Sequence, residues 1–188
     1  MSVVPRTLRG MADLVLTVLG DDRPGLVQAV SAPVEEAGGS WQRSQLTRLA
    51  GKFAGVVLVS VPDDRVDEVE QAWAELSEHG LEVRSEPASA AAPPAATTIG
   101  LHLLGDDRPG IVAEISAVLA DHGVGIDEME TDVREAPMAG GMLFEIDATL
   151  SLPADLDGDD LARSLEAVAG ELMVDVTLSA ASPTAPGV

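Results

Sequence analysis

The hexapeptide Gly-Asp-Asp-Arg-Pro-Gly occurs twice in this chain, at Gly20–Gly25 and at Gly105–Gly110. Its residue types could hold a small zwitterion. Asp22 and Asp107 can grip an ammonium group by a charge-assisted hydrogen bond, with Asp21 and Asp106 adding negative charge beside them. Arg23 and Arg108 can engage a carboxylate or an acidic neighbour. Gly25 and Gly110 carry no Cβ, so a ligand can approach the backbone closely. If a helix starts just after each turn, its unpaired N–H groups and positive dipole end add donors for an anion. A plainer reading stands beside this one. Aspartates before a proline are common at helix entries, where the carboxylate accepts helix N–H groups, and an arginine there can be an ordinary surface residue.

The flanking residues say what must position these turns. Leu16 to Val27 and Leu101 to Val112 follow one pattern around the shared hexapeptide, and Ser31 and Ser116 match as well. Each copy opens on an apolar run of strand length, Leu14 to Leu19 or Ile99 to Leu104. Pro24 and Pro109 then fall where a first helical residue is expected, since a missing N–H costs nothing there. Leu26, Val27, Val30 and Val34 share one helical face, as do Ile111, Val112, Ile115, Val118 and Leu119. Gly38 and Gly123 end these helices, and Pro33 should kink the first. Two strands come next, near Ser40–Leu49 and Lys52–Val61 in copy one and near Val124–Arg134 and Met142–Leu152 in copy two. A loop from Ala136 to Gly141 joins the second pair. A second helix carries Val66, Val69, Trp73 and Leu76, or Leu161, Leu165, Val168 and Leu172. A short strand closes each copy, near Leu81–Ser85 and Met173–Leu178.

The order is βαββαβ, twice. Right-handed crossovers put both helices of a copy on one face of an antiparallel sheet. The expected class is α+β: two ferredoxin-like sandwiches in tandem. The boundaries are a first domain at 12–86, an Ala/Pro-rich linker at 87–96, a second domain at 97–179 and a disordered tail at 180–188. Phe53 to Val61 is apolar on both strand faces apart from Gly55 and Ser60, and Leu14 to Leu19 is similar. Helices cover only one face, so the other needs a partner. The expectation is that the repeats pack on each other and that the chain forms a homodimer.

Composition narrows the function classes. The net charge of -21 repels nucleic-acid phosphate, so direct nucleic-acid binding is not expected. No apolar run is long enough for a membrane span, and no apolar segment follows Arg6 and Arg9 as a secretory signal would require. The chain lacks Cys, which removes disulfides and thiolate metal sites from consideration. A cytoplasmic location is expected.

The duplicated Asp-Arg-Pro-Gly turn before an amphipathic helix resembles the ACT domain family. The resemblance covers both repeats. It implies small βαββαβ modules that bind amino acids at domain interfaces and regulate metabolic enzymes or transcription. Two such modules without a catalytic domain resemble the glycine cleavage system transcriptional repressor group, and so does the stretch from Glu135 to Pro153. In that group the protein acts through a DNA-binding partner. The resemblance therefore implies a small amino acid, glycine or serine being the candidates, and a regulatory protein partner. The chain departs from the family in one respect. Amino-acid-binding members often place Asn in the turn and again at the start of the second strand, and this chain contains no Asn. The second position is Ser40 in copy one, which can still hydrogen-bond, and Gly125 in copy two, which cannot. Copy one is the better candidate for a ligand site.

No other motif competes. Asp155-Leu-Asp-Gly-Asp-Asp160 lacks the later ligands of a calcium loop and reads as a helix entry. His79, His102 and His122 have no metal-site spacing. No catalytic set, phosphate loop or dinucleotide fingerprint is present, so neither catalysis nor a cofactor is expected. The leading reading is a non-catalytic, amino-acid-responsive regulator. The alternatives are an interaction module with no small ligand, and the detached regulatory subunit of an amino-acid metabolic enzyme.

Overall fold

The computed structural model describes residues 10–89, 97–136 and 141–180. The chain divides into two compact units, Met1–Ala92 and Pro93–Val188. The expected tail, most of the linker and most of the loop between Ala136 and Gly141 lie outside the described residues.

In the first unit β1 (Met11–Asp21) leads through the hexapeptide turn to α1 (Leu26–Glu36). Then come β2 (Ser40–Leu49), β3 (Lys52–Pro62), α2 (Val66–Glu75) and β4 (Leu81–Pro87). The second unit repeats the order with β5 (Thr97–Asp106), α3 (Ile111–Asp121), β6 (Gly125–Glu135), β7 (Met142–Leu152), α4 (Gly158–Leu172) and β8 (Val174–Ala180). The sheets run β2-β3-β1-β4 and β6-β7-β5-β8, with every pairing antiparallel. This is the expected βαββαβ sandwich, twice.

Strand alternation sorts the apolar residues. Leu14, Leu16 and Val18 of β1 and Val57, Val59 and Val61 of β3 join Leu26, Val30 and Val34 of α1 and Val69 and Trp73 of α2 in one core. Both helices therefore cover the same sheet face. Each fully buried aliphatic side chain contributes about 1.5–3 kcal/mol. Trp73 is also satisfied as a polar group, its Nε1–H donating to the Val30 carbonyl at 3.0 Å. The second core is built the same way from Leu101, Leu103, Ile111, Ile115, Leu119, Ile146, Leu150, Leu161 and Leu165. Gly38 and Gly123 follow the first helix of each unit with φ of 76° and 67°, the left-handed turn that glycine accepts most readily. Asp157 caps α4, accepting the Asp159 N–H at 2.9 Å, so the acidic stretch there is a helix entry.

One helix start differs from expectation. Pro24 and Pro109 lie before the helices, not at their first residue, because Gly25 and Gly110 intervene with φ of 93° and 101°. A residue with that backbone cannot belong to a right-handed helix, so the helices begin at Leu26 and Ile111. Among the described residues, no helix is long and apolar enough to cross a membrane.

Candidate functional site

Each hexapeptide turn leaves the end of a central strand. At its first glycine the sheet is tight. A Cβ on Gly20 would stand 2.8 Å from the Gly80 carbonyl oxygen, and one on Gly105 would stand 2.4 Å from Val174 Cγ1. Gly20 is buried, so this residue packs β1 against the start of β4. Asp21 and Asp22 follow at the surface. The Asp22 N–H bonds to the Gly51 carbonyl at 3.0 Å, and the Asp107 N–H to the Met142 carbonyl at 2.8 Å, so the backbone of both turns is pinned alike to the neighbouring hairpin. Gly25 and Gly110 then stand as N-caps, and no side chain caps α1 or α3. The first-turn N–H groups of these helices have no acceptor within the helix.

In the first unit this geometry forms a hollow of about 300 Å³, lined by the turn Asp22–Gly25, the first turn of α1, Arg48 and Phe53. Arg48 lies at the far end of β2. It reaches the turn because β2 and β3 place it opposite Phe53, and Phe53 lies opposite Gly20. Its Nε stands 3.3 Å from Asp22 Oδ1. Lys52 pairs with Asp21, and that contact, as hydrogen bond and charge, holds the Asp21 carboxyl below the usual carboxylate range. The Arg23 guanidinium turns the other way, donating from Nη2 to the His79 carbonyl at 3.0 Å. The hollow therefore offers a carboxylate, a neighbouring guanidinium and helix N–H groups, a set suited to a small zwitterion.

The second unit keeps the backbone and changes the surroundings. The positions of Arg48 and Lys52 are held by Val133 and Leu143, which stand opposite Phe144 and Asp106. Among the described residues, neither the Asp106 nor the Asp107 carboxylate has a hydrogen bond or ion pair. Arg108 buries Nε and Nη2 without a partner, where Arg23 has the His79 carbonyl.

Ser40 stands at the opposite end of the sheet from the turn. It lies across from Ser60, which lies across from Asp13. Asp21 is eight residues further along β1, roughly 27 Å at about 3.4 Å per residue. Ser40 accepts instead from Gln42 Nε2 at 2.6 Å. Gly125 occupies the matching end of the second sheet, opposite Ser151. Arg48, Lys52 and Phe53 were not singled out from the sequence. The signal that finds them is strand register: a tight turn at Ala50-Gly51 folds the hairpin so that its tip meets the hexapeptide.

The family model described as "ACT domain" matches residues 12–86 and 97–179. The glycine cleavage system transcriptional repressor of Escherichia coli (strain K12) is 25% identical over 170 residues, covering 88% of each chain. A solved structure of an unknown protein from Galdieria sulphuraria superposes with a TM-score of 0.81 at 30% identity, over 92% of this chain and 100% of that one. A solved structure of a putative glycine cleavage system transcriptional repressor gives a TM-score of 0.66 at 20% identity, over 90% of this chain and 96% of that one. That last likeness is one of fold.

Proposed function

The chain belongs to the ACT domain family, and from that premise we propose that it is a non-catalytic, amino-acid-responsive regulator acting through a partner protein. A role like that of a glycine cleavage system transcriptional repressor, in the cytoplasm, is the form of it we favour. The relationship to such a repressor over most of both chains supports the regulatory class. The observation that carries the ligand is the hollow beside Asp22, where an acid, Arg48 and the α1 N-terminus converge. A small amino acid, glycine or serine, fits its chemistry: the ammonium against Asp22, the carboxylate against the helix N–H groups and Arg48. A homodimer would bring a second unit to this site. Ser40 lies too far away to share a ligand with Asp22 of its own unit, so any joint site needs two units. Ligand binding then stabilises one arrangement of units and biases partner binding.

Calorimetric and thermal-shift titration of the full chain with the common amino acids tests this reading. Binding of glycine or serine is expected. Asp22→Ala should weaken it about tenfold or more, the worth of a charge-assisted hydrogen bond, and Asp107→Ala should leave it unchanged. No heat and no shift with any amino acid would overturn the sensing role. A second reading, an interaction module with no small ligand, draws on the distance of Ser40 from the turn. It predicts partner affinity that is indifferent to amino acids.

A further inference from the structure

The face of the second sheet turned away from the helices carries a donor cluster that the turns do not use. His102 of β5 stands opposite Asp147 of β7, and Leu104, two residues along, stands opposite Glu145. Alternation therefore puts His102, Asp147 and Glu145 on one face, opposite the buried set Leu101, Leu103 and Ile146. His102 Nδ1 is 2.9 Å from Asp147 Oδ1, and Nε2 is 3.8 Å from Glu145 Oε1. One ligand atom from each of the three residues can be chosen so that all lie within 4.8 Å of one another. The side chains are 43%, 66% and 22% exposed for His102, Asp147 and Glu145, so an ion can enter from solvent.

The surroundings favour a cation. Across β6, Glu130 stands opposite Asp147 and Asp132 opposite Glu145, on the same face. Like charges placed directly across a sheet are destabilising. Arg134 offsets part of this by donating from Nη2 to Glu145 Oε2 at 2.9 Å, which leaves Oε1 toward His102. Among its described residues the first unit has nothing comparable. Its matching positions are Thr17, Ala54 and Val56, the last two opposite Leu19 and Thr17. The cluster is thus not a property of the fold but of the second repeat.

We propose that His102, Glu145 and Asp147 form a binding site for one divalent transition-metal ion of the Zn²⁺ type. One imidazole nitrogen with two carboxylate oxygens is a donor set that Zn²⁺ accepts, with ligand distances of about 2.0–2.2 Å. Drawing the three side chains onto one ion requires only side-chain rotation, since the strand register already fixes their backbones. The imidazole discriminates against Mg²⁺ and Ca²⁺, which take oxygen ligands. Three protein ligands leave a coordination position open to water or to a partner's side chain.

Zn²⁺ titration of the metal-stripped full chain by calorimetry, with Co²⁺ absorption as a spectroscopic probe, tests the proposal. One Zn²⁺ per chain and a visible Co²⁺ band are expected. His102→Ala and Asp147→Asn should each weaken Zn²⁺ binding about tenfold or more, while His79→Ala leaves it intact. Circular dichroism confirms that each variant is folded, and Asp147→Asn, at an exposed position, serves if His102→Ala does not fold. The proposal is overturned by the absence of Zn²⁺ uptake, by equal uptake in His102→Ala, or by Mg²⁺ competing on equal terms. The last result would mean that an acidic face merely attracts counter-ions.

Discussion

Asp22 has a guanidinium 3.3 Å away, and Asp21 is held by Lys52. Asp106 and Asp107 follow the same glycine, precede the same Arg-Pro-Gly and have no such partners among the described residues. The two turns are pinned by equivalent backbone bonds to Gly51 and Met142, so their conformation is not what separates them. The neighbouring hairpin is. In the first unit its tip is Ala50-Gly51, close to Arg48 and Lys52, and in the second the strands reach Glu135 and Met142, with Val133 and Leu143 in the matching positions. A repeated motif therefore reports a repeated backbone. The charge that a ligand would meet is decided by strands that are distant in sequence and adjacent in space.

The contrast extends to the open sheet faces. The first presents Leu19 and Val56, both large and exposed, while the second presents His102, Glu145 and Asp147. The first open face is thus apolar where the second carries charge. This is why the expectation of a homodimer attaches to the first sheet.

Two pairs of substitutions and a pH titration can sharpen or break the comparison. The largest effect is expected where the units are alike. Gly20→Ala and Gly105→Ala should each destabilise their own unit by about 1–3 kcal/mol, because the new Cβ meets atoms that cannot move freely. Both tryptophans, Trp41 and Trp73, belong to the first unit, so fluorescence follows that unit and circular dichroism follows both. Gly20→Ala should shift the fluorescence midpoint in urea, and Gly105→Ala should shift the circular dichroism alone. Equal shifts by both probes for Gly105→Ala would show that the units unfold as one.

A smaller effect of opposite sign separates the arginines. Arg23→Met loses the bond to the His79 carbonyl and should cost about 0.5–1.5 kcal/mol. Arg108→Met removes buried nitrogens that have no acceptor and should stabilise by about 1 kcal/mol. Destabilisation of the second unit by Arg108→Met would mean that Arg108 has found a partner in solution.

The smallest effect is a pH dependence confined to the first turn. The carboxyl of Asp21 titrates below its ordinary value because Lys52 favours its charged form. The folded state thus binds its proton less readily than the unfolded state. The resulting stabilisation is present above the unfolded value of about 4 and is lost as the pH falls through the lower folded one. Lys52→Ala should remove that acid-side loss from the fluorescence-detected stability of the first unit. An unchanged pH profile would show that the exposed pair is screened away.

The framework was legible in the sequence because periodicity and turn chemistry are local. Leu26, Val30 and Val34 mark a helical face, and Gly38 and Gly123 mark its end, in residues a few positions apart. Some local readings still failed on detail. Proline suits a first helical position, but the left-handed Gly25 and Gly110 set the start beyond it. The candidate site was only half legible. Asp22 could be picked out from its turn, while Arg48 could not, since nothing near it in the sequence points to that turn. Ser40 could be picked out by its offset from Asp22, but only the register shows that it stands at the other end of the sheet.

The sequence by itself determined the duplicated βαββαβ order, the aliphatic cores and the acidity of the chain, because these depend on composition and on spacing along one element. The tertiary structure alone decided which charges meet. Antiparallel register joins residues forty and more positions apart, such as His102 with Asp147, and a shift of one residue would turn either side chain to the opposite face. The electrostatics of both turns and the donor cluster on the second sheet are consequences of that pairing.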